Sequence, residues 1–283
     1  MNLISAFADE IDDDPDVQIR ELKRNGVGNI ELRGAWGRNV LALRAGEVQD
    51  IKRRAADHGI GFSAVGSPLG KFPLTGDFQE QLDGMRRALE YAEILEAAYI
   101  RVFSFYPPEG ESAAAHRTQV LDWLARLVEV AAATPTRLAH ENERNIYGET
   151  GDRVLDLLTS IHSPSLVCAF DFSNFVQCGQ RPYRDCWGKL RPYLGYFHVK
   201  DARPDGTVVP AGQGAGDVAR ILTEAFADGF RGYLTLEPHL KPAPGRPLQS
   251  KADRFRMAAQ ALHGLLADIP GSDAVIGERS DSP

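Results

Sequence analysis

The sequence predicts a single-domain α/β protein, a (β/α)8 barrel, on three observations. Short apolar runs alternate with amphipathic helical patterns along the chain, and eight such units can be read. Strict strand–helix alternation builds a parallel sheet, and eight units in 283 residues favour a closed barrel over an open doubly wound sheet. No Gly-x-Gly-x-x-Gly follows the first strand, which argues against a dinucleotide-binding fold. No shift in composition marks a domain boundary, so the barrel is assigned to residues 1–268. Residues 269–283, rich in Gly, Ser, Asp and Pro, are expected to form a mobile tail.

The elements follow in order. Residues 3–7 read as the first strand, and Asp14-Pro15 then supplies an N-cap with proline at the first helical position. Val17 and Leu22 sit on the apolar stripe of that helix, and Gly26 ends it. The second strand is 29–32, followed by a helix over 46–58 stopped by Gly59. Strand 62–65, a long helix from Asp77 to Glu96 and strand 99–103 complete the first half. The second half reads as helix 112–133, strand 137–141, helix 152–161, strand 166–171, a short helix near 184–189 and strand 196–200. Helix 217–228, strand 233–237 and helix 251–266 close the set.

Composition narrows the function. The hydrophobic share of 43% and charged share of 25% are those of a globular protein. A net charge of −7 with no basic run makes nucleic acid a poor partner. Three cysteines, Cys168, Cys178 and Cys186, lack Cys-x-x-Cys spacing, so free thiols are expected rather than disulfides or structural zinc. The N-terminal segment has no basic region and reaches Asp9 and Glu10 early, unlike a signal peptide. No apolar stretch approaches the roughly 20 residues of a membrane span, so the cytoplasm is the expected location.

Barrel enzymes place their chemistry where strands end. The last four strands end on Glu141, Asp171, His198 and Glu237. Alternation along a strand lets each point into the barrel while its apolar neighbours face the helices. Three carboxylates and an imidazole at one mouth repel one another unless a cation joins them. One divalent ion answers that need, with Mn2+ the first expectation and Mg2+, Co2+ or Zn2+ the alternatives. A single strand-end carboxylate is more often a helix cap or a solvated charge; four on consecutive strands are harder to explain that way.

These segments resemble a known family. The opening Ile4-Ser5-Ala6-Phe7-Ala8-Asp9-Glu10, then Ile30-Glu31-Leu32-Arg33-Gly34, His140-Glu141-Asn142-Glu143, Asp171-Phe172-Ser173-Asn174-Phe175, His198-Val199-Lys200-Asp201 and Leu236-Glu237-Pro238 are similar to the sugar phosphate isomerase/epimerase family of xylose isomerase-like TIM barrels. That family includes ketose 3-epimerases and inosose dehydratases. The resemblance implies that Glu141, Asp171, His198 and Glu237 are metal ligands and that Glu141 and Glu237 form the acid/base pair. It implies a carbohydrate or cyclitol substrate and leaves homo-oligomerisation open. Where ketose 3-epimerases often carry a substrate-contacting histidine, this chain has Asn174, and Arg203 is only a candidate for the basic residue expected after His198. Both departures weigh against simple ketose 3-epimerisation.

The chemistry expected is proton abstraction next to a carbonyl, with the metal stabilising the enediolate as a Lewis acid. Proton return from the opposite face to the same carbon is epimerisation, and return to the neighbouring carbon is isomerisation. Loss of a leaving group makes the enzyme a lyase, a keto-cyclitol dehydratase or a β-eliminating enzyme on 3-keto-glycosides. A nuclease of the same fold and a non-catalytic sugar-binding module are the remaining alternatives.

Secondary candidates surround the four. Lys200 should face inward, to bind substrate oxygens or to pair with Asp201 or a ligand carboxylate. His140 should face outward as a packed or hydrogen-bonded structural histidine. His239 sits just beyond the last strand, where a proton shuttle is one reading. Arg33 either bonds substrate or pairs with Glu10 or Glu31. Trp36, Phe105 and Tyr147 lie on loops, as sugar-stacking or packing groups. The glycine-rich run 210–217 is expected to be a flexible loop, with anion binding at a helix N-terminus as the alternative.

Overall fold

In the computed structural model, residues 2–241 and 250–276 are described. The chain runs β1 (Ile4–Ala6), α1 (Pro15–Arg24), β2 (Asn29–Leu32), β3 (Gly34–Ala35), β4 (Arg38–Asn39), α2 (Ala45–Ala56), β5 (Gly61–Val65), α3 (Phe78–Leu95), β6 (Tyr99–Val102) and α4 (Arg117–Ala131). It continues with β7 (Arg137–Glu141), α5 (Gly151–Ile161), β8 (Leu166–Asp171), α6 (Phe172–Gln177), α7 (Gly188–Leu190), β9 (Leu194–Val199), β10 (Asp201–Ala202) and β11 (Val208–Val209). Helix α8 (Val218–Ala227), β12 (Leu234–Leu236), α9 (Lys251–Ala267) and α10 (Asp273–Ile276) complete it. Eight strands close into a barrel in the order β1-β12-β9-β8-β7-β6-β5-β2. Every pairing within it is parallel.

The alternation along each strand sorts residues between two environments. On β8 and β9, Phe170 and Phe197 face outward and pack with Phe172, Phe175 and Trp187 at ring separations of 5.0–6.0 Å. Burying each such ring is worth about 1.5–3 kcal/mol. Facing inward, Ala64, Tyr99, Ala139, Val167, Ala169 and Tyr196 fill the barrel interior. The same period carries Glu141, Asp171 and His198 inward at the strand ends, one layer above this plug.

Helix ends follow the sequence signals. Asp14 caps α1 by accepting from the Asp16 N–H at 2.9 Å, with Pro15 first in the helix. Gly26 follows at φ +68°, a left-handed conformation that glycine adopts without strain. The expected helix over 112–133 begins instead as a 3-10 turn, Ala113–His116, before α4. The short helix near 184–189 is a wide turn over Pro182–Trp187 that runs into α7. Two small hairpins, β3–β4 and β10–β11, extend the mouth of the barrel.

Part of the expected tail is packed rather than mobile. The Leu3 N–H donates to the Val275 carbonyl at 2.6 Å, and Ile269, Ser272 and Val275 are buried at the foot of the barrel. Ile269 and Val275, with Ser272 between them, cover the N-terminal end of β1, which a Gly- and Ser-rich composition does not reveal. Residues 277–283 of that expectation lie outside the described residues. Among the described residues all three cysteines are free, and no helix is long and apolar enough to cross a membrane.

Candidate active site

Four side chains converge at the mouth. Glu141 ends β7, Asp171 ends β8, His198 lies on β9 beside Asp171, and Glu237 follows β12. Each offers one donor atom, all within 4.8 Å of one another, and all four residues are buried. His198 Nδ1 lies 3.2 Å from Glu141 Oε1 and 3.7 Å from Glu237 Oε2. It is completely buried and off the line that a hydrogen bond needs. Asp171 also caps α6, its Oδ1 accepting the Asn174 N–H at 2.7 Å, which leaves Oδ2 for the gap. A buried nitrogen with no hydrogen bond, facing oxygens of three carboxylate side chains, suits a divalent cation with mixed O/N preference.

The charges around the gap are arranged in layers. Lys200 Nζ lies 2.7 Å from Glu237 Oε2 and 3.0 Å from Asp171 Oδ2. Arg101, on β6, donates to Glu141 Oε2 at 3.2 Å and to the carbonyls of Gly66 and Ser67. Burial works against the charged form of Glu141, but His198 and Arg101 outweigh it and hold the carboxyl down at about 2. Asp171 goes the other way. Burial dominates, Glu237 and Glu141 add to it, and its carboxyl is pushed up to about 8 despite Lys200. Burial lowers His198, yet Glu141 and Glu31 raise it to about 10. Glu237 is held well below the carboxylate range: burial opposes this, but Lys200, His239, His198 and Arg33 prevail. This cluster retains protons that a divalent ion would displace.

The profile of the xylose isomerase-like TIM barrel family matches residues 19–258. The chain belongs to that family. Solved structures of similar fold include the IolI protein with a bound zinc atom, at TM-score 0.73 and 14% identity, covering 95% of this chain and 99% of that one. The probable 3-DHS dehydratase AsbF from Bacillus anthracis gives TM-score 0.72 and 18% identity over 93% and 99% of the two chains. The 3-keto-D-glucoside 4-epimerase YcjR from E. coli gives 0.67 and 17% over 94% and 100%. Among functionally curated proteins no sequence matches. At these identities the structural likeness establishes the fold.

Within this xylose isomerase-like barrel the secondary candidates separate. Lys200 pairs with Asp171 and Glu237, two of the candidate ligands, rather than with Asp201. Asn174 is 3% exposed, and its amide donates to Glu141 Oε1 at 3.1 Å and to the Asn142 carbonyl at 2.9 Å. Arg33 bonds Asp9 at 2.8 Å and Glu10 at 3.4 Å, and lies 3.7 Å from Glu237; it does not meet Glu31. His239 takes Glu10 Oε1 at 3.1 Å and faces Glu237 Oε1 at 3.4 Å. Arg203 is exposed on the β10–β11 turn and does not line the mouth cavity of ≈ 930 Å³ that Lys200, Asn174 and His239 share. The turn carries it outward, since its backbone N–H closes on Thr207 O at 2.9 Å.

His140 is packed and makes no side-chain hydrogen bond; burial pushes it down to about 4. Phe105 and Tyr147 are buried, while Trp36 is 36% exposed. The glycine-rich loop binds an anion, but the anion is the chain's own. Asp201 accepts from the N–H groups of Gly212, Gly214 and Gly216 at 2.8–3.1 Å. That pins the run expected to be flexible and fills the place where a phosphate was considered.

Two residues were missed by sequence reasoning, Arg101 as the cation on Glu141 and Glu31 as the partner of His198. A signal was there. Strands of a parallel barrel are buried on both faces and read as apolar runs, so a charge inside Asn29–Leu32 or Tyr99–Val102 requires a buried partner.

Proposed function

We propose that this protein is a divalent-metal-dependent isomerase or epimerase of a sugar, keto-sugar or cyclitol, acting by proton abstraction next to a carbonyl. One observation carries the reading: four buried donor groups from four neighbouring barrel strands meet within 4.8 Å, and His198 Nδ1 is turned among them without a hydrogen bond. Glu141, Asp171, His198 and Glu237 would hold the ion, with Mn2+ the first expectation and Mg2+, Co2+ or Zn2+ alternatives. The ion would supply Lewis-acid polarisation of the substrate carbonyl.

The chain's own groups perform the proton chemistry. Glu237, kept ionised by Lys200 and His239, takes the proton from the carbon beside the carbonyl. Glu141 stands across the gap and, in its protonated form, would return one from the opposite face, with exchange of protons with solvent then restoring both carboxyl groups. Lys200 offsets negative charge developing beside Glu237, and Arg33 and His239 at the rim orient hydroxyl groups. Three free thiols suit a reducing compartment such as the cytoplasm.

A lyase is the second reading, and one observation favours it. Glu141 is engaged on both oxygens, by Asn174 and Arg101, and is held near 2, which makes it a poor proton donor. One-base chemistry at Glu237, which would take the proton from carbon and pass it to the departing hydroxyl or glycosidic oxygen so that water or an alcohol leaves, avoids that difficulty. Mass-resolved product analysis separates the two, because an isomerase leaves mass unchanged while a lyase releases water or an aglycone.

The test of the shared reading is metal content. Protein purified without chelator is expected to hold about one divalent ion per chain, lost in Glu141→Gln and Glu237→Gln. No metal after incubation with excess Mn2+ would overturn it and favour a binding module.

A further inference from the structure

We propose that Glu31 is a positioning residue that fixes the tautomer and orientation of His198, so that Nδ1 faces the candidate metal position; this rests on the metal reading above. Glu31 lies in the middle of β2 and is completely buried inside the barrel. Its Oε2 is 3.1 Å from His198 Nε2, and its Oε1 accepts the Tyr196 hydroxyl at 3.0 Å. Among the described residues, no Arg or Lys forms a salt bridge with it; its one ion-pair partner is His198.

A neutral imidazole carries one donor and one acceptor, and the partner of one nitrogen decides the role of the other. A carboxylate at Nε2 accepts only, so the proton stays on Nε2 and the lone pair of Nδ1 is left for the gap between Glu141 and Glu237. The ring plane is held as well. Phe7 meets the imidazole edge-on at 5.1 Å and Tyr196 does so at 5.2 Å. A metal ligand that is free to flip or to protonate at Nδ1 pays that reorganisation on every binding event. Outer carboxylates of this kind are worth roughly 10–100-fold in metal affinity. Packing alone would have favoured an apolar residue at this position, since a buried carboxylate is costly unless its hydrogen bonds are needed.

The experiment is a Zn2+ titration of chelator-stripped wild type, Glu31→Gln and Tyr196→Phe against a competing chromophoric chelator. It is paired with thermal unfolding of the metal-free proteins and long-range 1H–15N correlation spectra of the zinc-loaded wild type. The expected result is roughly 10–100-fold weaker zinc binding in Glu31→Gln and a smaller loss in Tyr196→Phe. The wild-type spectrum should show a histidine protonated at Nε2 and bound through Nδ1. Wild-type binding with unchanged affinity in Glu31→Gln would overturn this inference alone. Absence of zinc binding in wild type would overturn the metal reading and this inference with it. Should Glu31→Gln fail to fold, the wild-type spectrum decides, and a proton on Nδ1 of His198 refutes the proposal.

Discussion

Replacing Lys200 with methionine separates two roles of a buried cation. The ammonium sits 2.7 and 3.0 Å from two carboxylates and is 4% exposed. In the metal-free protein, methionine fills the volume but leaves Asp171 and Glu237 without their counter-charge. Removing one partner of a buried ion pair costs about 3–5 kcal/mol, which for a chain of this size lowers Tm by roughly 10 °C. Metal binding should respond in the opposite direction. A unit charge about 4 Å from another at an effective dielectric of about 20 interacts by about 4 kcal/mol, and a divalent ion in the gap is repelled by Lys200 on that scale. Relief of even a third of this corresponds to about tenfold tighter binding. Differential scanning fluorimetry with chelator and with Mn2+, together with competitive metal titration, reads both effects. The metal-free variant should melt early and regain most of the loss when loaded, while turnover falls. Unchanged or weaker metal affinity would refute the placement of Lys200 against the metal position.

Three further outcomes are expected. Asp171 is raised to about 8 and His198 to about 10, while burial lowers His140 to about 4 and so offsets the proton held by Asp171 below about pH 6.5. The folded metal-free protein thus binds more protons than the unfolded chain from about pH 6.5, where unfolded histidine titrates, up to pH 10. Its stability therefore falls as pH rises through that window, and calorimetry in buffers of different ionisation enthalpy should show one to two protons released per metal bound near pH 7; no release would contradict the picture. Gly148→Ala places a Cβ 2.4 Å from His140 Cε1 and 2.9 Å from Ser104 Oγ, and a loss of about 1–3 kcal/mol in urea unfolding is expected. Asp201→Ala removes the acceptor of three glycine N–H groups and should cost about 3 kcal/mol. Proteolysis should then cut within 210–217 while metal stoichiometry is unchanged.

Much of the molecule was legible in the sequence because it depends on local period and local chemistry. Short apolar runs marked the barrel strands and 3.6-residue patterns most helices, and Asp14-Pro15 and Gly26 marked helix ends. The four residues ending late strands could be picked out because a barrel brings strand ends together whatever the loops do. Boundaries shifted: β12 stops at Leu236, so Glu237 sits just past the strand, because strand ends depend on neighbours rather than on propensity.

The tertiary structure decided everything that depends on which strands are neighbours across the barrel. Arg33 had two acidic candidates, Glu10 and Glu31, and packing gave it Glu10 together with Asp9 while turning Glu31 inward to His198, 167 positions away. Arg101 and Glu141 meet across 40 positions, and nothing local to either announces the other. The glycine loop read as flexible because its sequence does not show that Asp201 lies beneath it. The sequence by itself therefore determined the barrel and the four groups at its mouth, since period and strand order suffice for both. Only the folded chain determined which buried charge answers which, because that depends on distances between residues far apart in sequence and on burial that makes an unanswered charge too costly to keep.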